Sequence, residues 1–196
     1  MVRHAALVLA LLAAPALAQE TATISVEVAQ DAPDADPGSE RFVSPATPRQ
    51  FAQMLLAYPR LRTIEMVECP GTSDDTANLR LGRMIRHAGL DTHVPPGGSV
   101  RSGAVELFLA GNRRSADPDA EFAVHAWLDA DGREPQDFPP SDPVNQSYLA
   151  YYREMGLSDE QAQRFYAMTN SVPHEAARWL SEAEFARYAP LTSPGD

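Results

Sequence analysis

The chain has 196 residues, a formal net charge of −11 and 44% hydrophobic residues, enough for one packed domain with an appendage and too apolar for wholesale disorder. Its 27 acidic against 16 basic residues argue against nucleic acid as a partner, because binding phosphates needs clustered positive charge. Every basic residue is arginine, which excludes a lysine base or Schiff base, and the lone Cys69 excludes an intrachain disulfide and a multi-cysteine zinc site.

Residues 1–18 read as a secretory leader. Arg3 and His4 give a basic start, an apolar run follows, and Ala16-Leu17-Ala18 fits the small-x-small cleavage pattern. The run is too short for a membrane span, which needs about 20 residues, and no later segment is long or apolar enough. The mature chain is therefore expected to be periplasmic or secreted, with no membrane span and, after loss of Arg3, a charge of −11 − 1 = −12. In such an oxidising compartment an unpaired Cys69 has to be buried.

Three stretches are expected: the leader at 1–18, a strand with a Pro/Asp-rich loop at 19–46, and a domain at 47–192. Residues 22–29 alternate and carry β-branched side chains, so they read as a strand. Residues 31–46 are rich in Pro, Asp and Gly and read as a loop. Thr47-Pro48-Arg49-Gln50 announces a helix capped by Thr47, with Phe51, Met54, Leu55 and Tyr58 on one stripe. Residues 62–68 read as a strand running into the turn Cys69-Pro70-Gly71-Thr72. A helix over 76–88, stopped by Gly89, precedes a short strand at 92–94 and a Pro/Gly-rich loop. The apolar segment 103–111 fits a helix and a strand equally well. Residues 121–128 read as a strand, and 129–143 as a polar, Pro-rich loop. Helices then dominate, with a Tyr148, Leu149, Tyr152, Met155 stripe and capping boxes at Ser158–Gln161 and Ser181–Glu184. The alternation of strands and helices argues for an α/β fold with a largely parallel sheet.

The chemistry concentrates at predicted strand ends, where parallel α/β sheets carry their ligand sites. His125 follows the apolar Phe122-Ala123-Val124. Ser102 sits where a loop enters a helix, so the amide after it, on Gly103, can act as an oxyanion donor. The Gly71-Thr72 turn can supply a second donor. A serine, a histidine and two amide turns are the parts of acyl transfer. The alternative is a helix-capping Ser102 and a core His125. Asp74, Asp75, His87 and His93 read better as a solvated acidic turn with surface histidines than as a metal site.

These residues resemble the Clp-protease/crotonase superfamily, and within it a small exported bacterial branch of ClpP-like proteins. Glu68-Cys69-Pro70-Gly71-Thr72 stands for that branch's S-P-G-G turn. Leu81 to Arg86 and Gly89 to Val94 look like its helix and following strand. Ser102-Gly103-Ala104 with Phe108 to Arg114 resembles the nucleophile segment, and Ala123-Val124-His125 the strand bearing the base. Glu154 to Leu157 and Trp179 to Glu184 look like the tail. Spacings of 31 residues from Gly71 to Ser102 and 23 from Ser102 to His125 fit the pattern, which covers roughly residues 45–192. The resemblance implies a ClpP/crotonase-like α/β fold with a helical tail. It also implies Ser102 as nucleophile, His125 as base, Thr72 and Gly103 amides as the oxyanion hole, and no metal or cofactor.

The chain departs from the pattern in several places. Thr72 replaces a glycine, Arg101 replaces the small residue before the nucleophile, and Val100 and Ala104 stand where the branch has cysteines. Ala177 falls where the orienting acid belongs, leaving Glu175 and Asn170 as the nearest substitutes, or no orienting residue at all, which is the expected outcome. The reading is an exported, peptidase-like serine hydrolase acting on a peptide or protein. The alternative is a catalytically inactive ClpP-like domain that binds a peptide or an envelope protein. A CoA-dependent crotonase chemistry is disfavoured because CoA is scarce outside the cytoplasm. The resemblance implies rings or trimers built on a helical element after the base-bearing strand, here 144–156. The acidic charge favours a monomer or small oligomer over a heptameric ring.

Overall fold

The computed structural model describes residues 21–24 and 46–192. The expected leader at 1–18, residues 25–29 of the strand read at 22–29, and all but the last residue of the 31–46 loop lie outside the described residues.

The chain forms β1 (Thr21–Ile24), α1 (Thr47–Ala57), β2 (Thr63–Met66), β3 (Glu68–Cys69), α2 (Asp75–His87), β4 (Asp91–Val94), β5 (Ser99–Arg101) and α3 (Ala104–Leu109). It continues as β6 (Arg114–Ala116), β7 (Glu121–Val124), α4 (Pro143–Glu154), α5 (Asp159–Thr169), β8 (Arg178–Ser181) and α6 (Glu182–Phe185). The fold is α/β with mostly parallel strands flanked by helices, as expected. The strands divide between two sheets, ordered β1-β2-β4-β6 and β3-β5-β7-β8. All pairs are parallel except β7 with β8. The division corrects the expectation of one continuous strand over 62–68. Val67 bends the chain out of the first sheet, and its carbonyl then accepts the Ser99 N–H. The same step recurs from β4 to β5 and from β6 to β7, so each turn of the chain lays one strand in each sheet. Helices α2 and α3 make the crossovers.

Helix α1 starts without the expected cap. Thr47 is already helical, Ala46 is the N-cap with no side-chain bond, and Pro48 lacks the N–H that would need one. Asp74 caps α2 by accepting the Ala77 N–H at 2.8 Å. The boxes at Ser158–Gln161 and Ser181–Glu184 form as read. The ambiguous segment 103–111 contains helix α3, and the strand read at 121–128 ends at Val124. The antiparallel β8 was not expected, since four residues with only Leu180 buried give no readable period.

The C-terminal helices pack on the second sheet. Phe122 of β7 stacks on Phe185 of α6 at 4.2 Å, and Phe108 of α3 and Phe165 of α5 meet Phe185 edge-on. All four rings are fully buried, each contributing about 1.5–3 kcal/mol of hydrophobic stabilisation. Of the Tyr148, Leu149, Tyr152 and Met155 stripe of α4, Tyr148, Tyr152 and Met155 are buried in this core and Leu149 packs against it half-buried. Among the described residues no helix is long and apolar enough to cross a membrane.

Candidate active site

Three strands of the second sheet end side by side, and each end carries a residue singled out from the sequence. β3 runs into Gly71-Thr72, β5 into Ser102-Gly103, and β7 into His125. Ser102 is the only non-glycine among the described residues with a left-handed backbone, at φ 50°. A β-ladder bond from its N–H to the Ala123 carbonyl (2.8 Å) holds it there, and its own carbonyl starts α3 by accepting the Val105 N–H. Such a turn stores strain and lifts the side chain off the strand end.

Gly71 is built against this serine. At φ 131° a side chain is strained, and a Cβ there would sit 2.8 Å from Ser102 Cβ and 3.1 Å from Ser102 Oγ. Gly103 is packed the same way, since its Cβ would fall 2.3 Å from Thr72 Cγ2. The two amide turns therefore touch. Thr72 sits outside the left-handed region, so the turn accepts threonine in place of glycine without backbone strain. The Gly103 N–H has no partner among the described residues. Asn78, buried on α2, donates from Nδ2 to the Gly103 carbonyl at 2.7 Å and fixes that peptide.

Ser102, Gly103, Thr72 and His125 line one cavity of about 360 Å³. No hydrogen bond joins the Ser102 hydroxyl to His125. His125 Nδ1 lies 2.8 Å from the Ala126 carbonyl, and His174 Nδ1 lies 3.0 Å from the same oxygen. A carbonyl only accepts, so both Nδ1 atoms carry protons, and the neutral rings keep a lone pair on Nε2. The two rings meet edge to face at 4.6 Å.

Neither expected substitute for the missing acid orients His125. Asn170 Oδ1 accepts the Trp127 N–H, its Nδ2 donates to the Tyr166 carbonyl at 2.8 Å, and Glu175 is exposed. The Ala126 carbonyl makes the orienting bond instead. No carboxylate stands at Ala177, where the resemblance puts the orienting acid. The last ladder pair is Val124 with Arg178, so His125 and Ala177 each lie one residue past the end of that ladder. Arg101, whose bulk and charge replace a small residue beside the serine, turns to β3 instead. Its guanidinium pairs with Glu68 on β3 and donates to Ser99 Oγ at 2.8 Å, and it does not line the cavity. Cys69 is buried, and burial pushes its thiol up to about 12, so it holds no thiolate at neutral pH.

No protein-family model matches the chain, and no curated protein matches it. Solved structures do. A mutant of ClpP1 from Listeria monocytogenes is 19% identical, with a TM-score of 0.51, over 74% of this chain and 82% of that one. A mutant of a membrane-bound stomatin-specific protease, in complex with a substrate peptide, is 14% identical with a TM-score of 0.49, over 75% of this chain and 68% of that one. A second mutant of that protease is 16% identical with a TM-score of 0.49, over 74% and 71%.

The chain has a ClpP-like fold. On this ClpP-like scaffold the cavity holds residues that the sequence did not single out as site residues. Asp75, the first residue of α2, opens into it. Burial, the largest cause, pushes the Asp75 carboxyl above its usual range. Glu106, one turn after Ser102, is buried and accepts the Tyr152 hydroxyl at 2.9 Å. Burial pushes its carboxyl up to about 8. Its place four residues after Ser102, on the helix that Ser102 leads into, was the available signal. His174, read only as lying between helices, also lines the cavity. Of the residues weighed as a metal site, Asp74 is a cap and His87 donates to the Arg83 carbonyl at 2.6 Å. Among the described residues no group of three or more His, Cys, Asp or Glu is arranged to hold a metal.

Proposed function

We propose that the protein is an exported serine hydrolase of peptidase type, with Ser102 as nucleophile and His125 as general base. The observation that carries this is the left-handed Ser102, pressed against Gly71 and sharing a cavity with a histidine whose Nε2 is a lone-pair acceptor. In the reaction, Ser102 Oγ attacks a substrate carbonyl as its proton passes to His125 Nε2. The carbonyl oxygen gains the negative charge and takes hydrogen bonds from the Gly103 and Thr72 amides. His125 then returns the proton to the leaving group, and an acyl ester remains on Ser102. Water, deprotonated by His125, releases the acid and regenerates the serine. The Ala126 carbonyl holds the imidazole in the required tautomer. A carbonyl stabilises the imidazolium less than a carboxylate does, so turnover is expected to be slow. The apolar run and Ala16-Leu17-Ala18 support export.

A second reading, an inactive ClpP-like domain that binds a peptide or an envelope protein, draws on the absence of a carboxylate hydrogen-bonded to His125 among the described residues. Hydrolysis of an activated ester and a mixed peptide pool separates the two. The hydrolase reading expects turnover that Ser102→Ala and His125→Ala both abolish. Turnover that survives Ser102→Ala, or no turnover in any variant, favours the binding reading.

A further inference from the structure

We propose that His174 is the positioning residue for His125. Its ring is wedged against the His125 imidazole and holds it with Nδ1 on the Ala126 carbonyl and Nε2 free for proton transfer. This rests on reading His125 as the base for Ser102. It makes a second imidazole, rather than a carboxylate, the side chain that steadies that base.

The segment that carries His174 is laced to the end of β7. The Trp127 N–H is accepted by Asn170 Oδ1, and the Ala126 N–H by the Val172 carbonyl at 2.9 Å. The Ala126 carbonyl takes both imidazoles, His125 Nδ1 at 2.8 Å and His174 Nδ1 at 3.0 Å. A carbonyl oxygen has two lone pairs, so it serves both donors and neither gives way to the other. His174 is also tied at its backbone, where Glu134 Oε1 accepts its N–H at 2.7 Å from the loop before α4. Held at both points, its ring stands at 89° to that of His125, with centroids 4.6 Å apart. Aromatic rings packed edge to face at this distance attract each other beyond simple burial. To swing its ring about the Cβ–Cγ bond, His125 has to break its bond to Ala126 and push against the ring of His174.

Nothing in the core calls for a histidine at this place. His174 is exposed, in the loop between α5 and β8, and takes no part in the hydrophobic core. Its ring instead lines the cavity that holds Ser102 and His125. Without it, His125 would be held by one bond to a neutral acceptor at a half-buried position, and such a bond gains little over one to water. An orienting acid supplies a base with both alignment and charge. The wedge supplies the alignment alone.

Three substitutions separate the ring from its hydrogen bond. His174→Ala removes both, His174→Asn keeps an N–H donor and removes the ring, and His174→Phe keeps a ring and removes the donor. At an exposed loop position all three are expected to fold as the wild type does. The first readout is the His125 tautomer, taken by NMR on isotope-labelled protein above the usual histidine titration range. The wild type and His174→Phe are expected to show Nδ1–H alone, and His174→Ala and His174→Asn an average of the two tautomers. An undisturbed Nδ1–H tautomer in His174→Ala overturns the proposal. The second readout is ester hydrolysis. A fall in kcat of roughly tenfold with KM unchanged is expected in His174→Ala and His174→Asn, and a much smaller fall in His174→Phe. Equal losses in His174→Phe and His174→Ala overturn the wedge. The tautomer is read without substrate, so the two readings fail separately. Averaging in His174→Ala, with no hydrolysis even by the wild type, leaves the wedge standing and overturns the hydrolase reading.

Discussion

The two sheets have the same parallel order but opposite fates at their carboxyl ends. In the first sheet, β2, β4 and β6 pass straight into the next strand of the second sheet through short bends. In the second, β3, β5 and β7 stop, and their ends become Gly71-Thr72, Ser102-Gly103 and His125. The first sheet also holds a hydrogen-bonded serine, histidine and aspartate. Ser115 Oγ lies 2.9 Å from His93 Nδ1, and His93 Nε2 lies 3.3 Å from Asp117. Ser115 is a mid-strand residue paired with His93 in the ladder, its backbone is ordinary, and none of the three lines the cavity. Ser102 and His125 share no direct hydrogen bond, yet they have the strained turn, the adjoining amides and the cavity. On the proposed reading, the difference teaches that backbone geometry and a concave space, more than a string of hydrogen-bonded side chains, single out a nucleophile.

The comparison can be broken most severely at Gly71. Gly71→Ala forces a side chain into a left-handed backbone against Ser102, and is expected to lower stability by about 2–4 kcal/mol and to abolish turnover. Denaturant melts together with ester hydrolysis measure both. A variant as stable and active as wild type contradicts the packing role. Ala177→Asp sharpens the comparison in the other direction. It sets a carboxylate at the position just past the end of the β7–β8 ladder, as His125 is, and is expected to raise the rate of hydrolysis by roughly tenfold or more. An unchanged rate would mean that the Ala126 carbonyl already suffices.

Asn78→Ala removes the bond that fixes the Gly103 peptide, with an expected loss of about 1–3 kcal/mol and a fall in kcat larger than any change in KM. Glu106→Gln acts through pH. A glutamate titrates near 4.5 when unfolded, and Glu106 keeps its proton to about 8 when folded. Between these values the folded state binds the extra proton, so stability falls as pH rises, by up to about 1.4 kcal/mol per unit. Melts from pH 4 to 9 are expected to show that slope in wild type and a flatter profile in the variant. The smallest effect is at Cys69, whose thiol is expected to react with a disulfide reagent only as fast as the protein unfolds.

Much of this was legible because local signals carried it. Helix α2, the capping boxes at Ser158 and Ser181 and the three strand-end turns all announce themselves within a few residues. The split of 62–68 between two sheets was not legible, because the bend at Val67 is a tertiary choice with no glycine or proline to mark it. Strand β8 is too short to show a period. Arg101 was read as a threat to the site because its pairing with Glu68 depends on β3 and β5 lying side by side. Glu106 and Asp75 were missed for the same reason. Each looks like an ordinary helix carboxylate until the cavity brings them together with Tyr148 and Tyr152.

The central claim is that Ser102, and not the hydrogen-bonded Ser115, is the activated serine. The most direct test is to treat the protein with a fluorophosphonate, digest it and locate the adduct by mass spectrometry. The account predicts a single adduct on Ser102, lost on unfolding and in His125→Ala. An adduct on Ser115, or none on the folded protein, would contradict it.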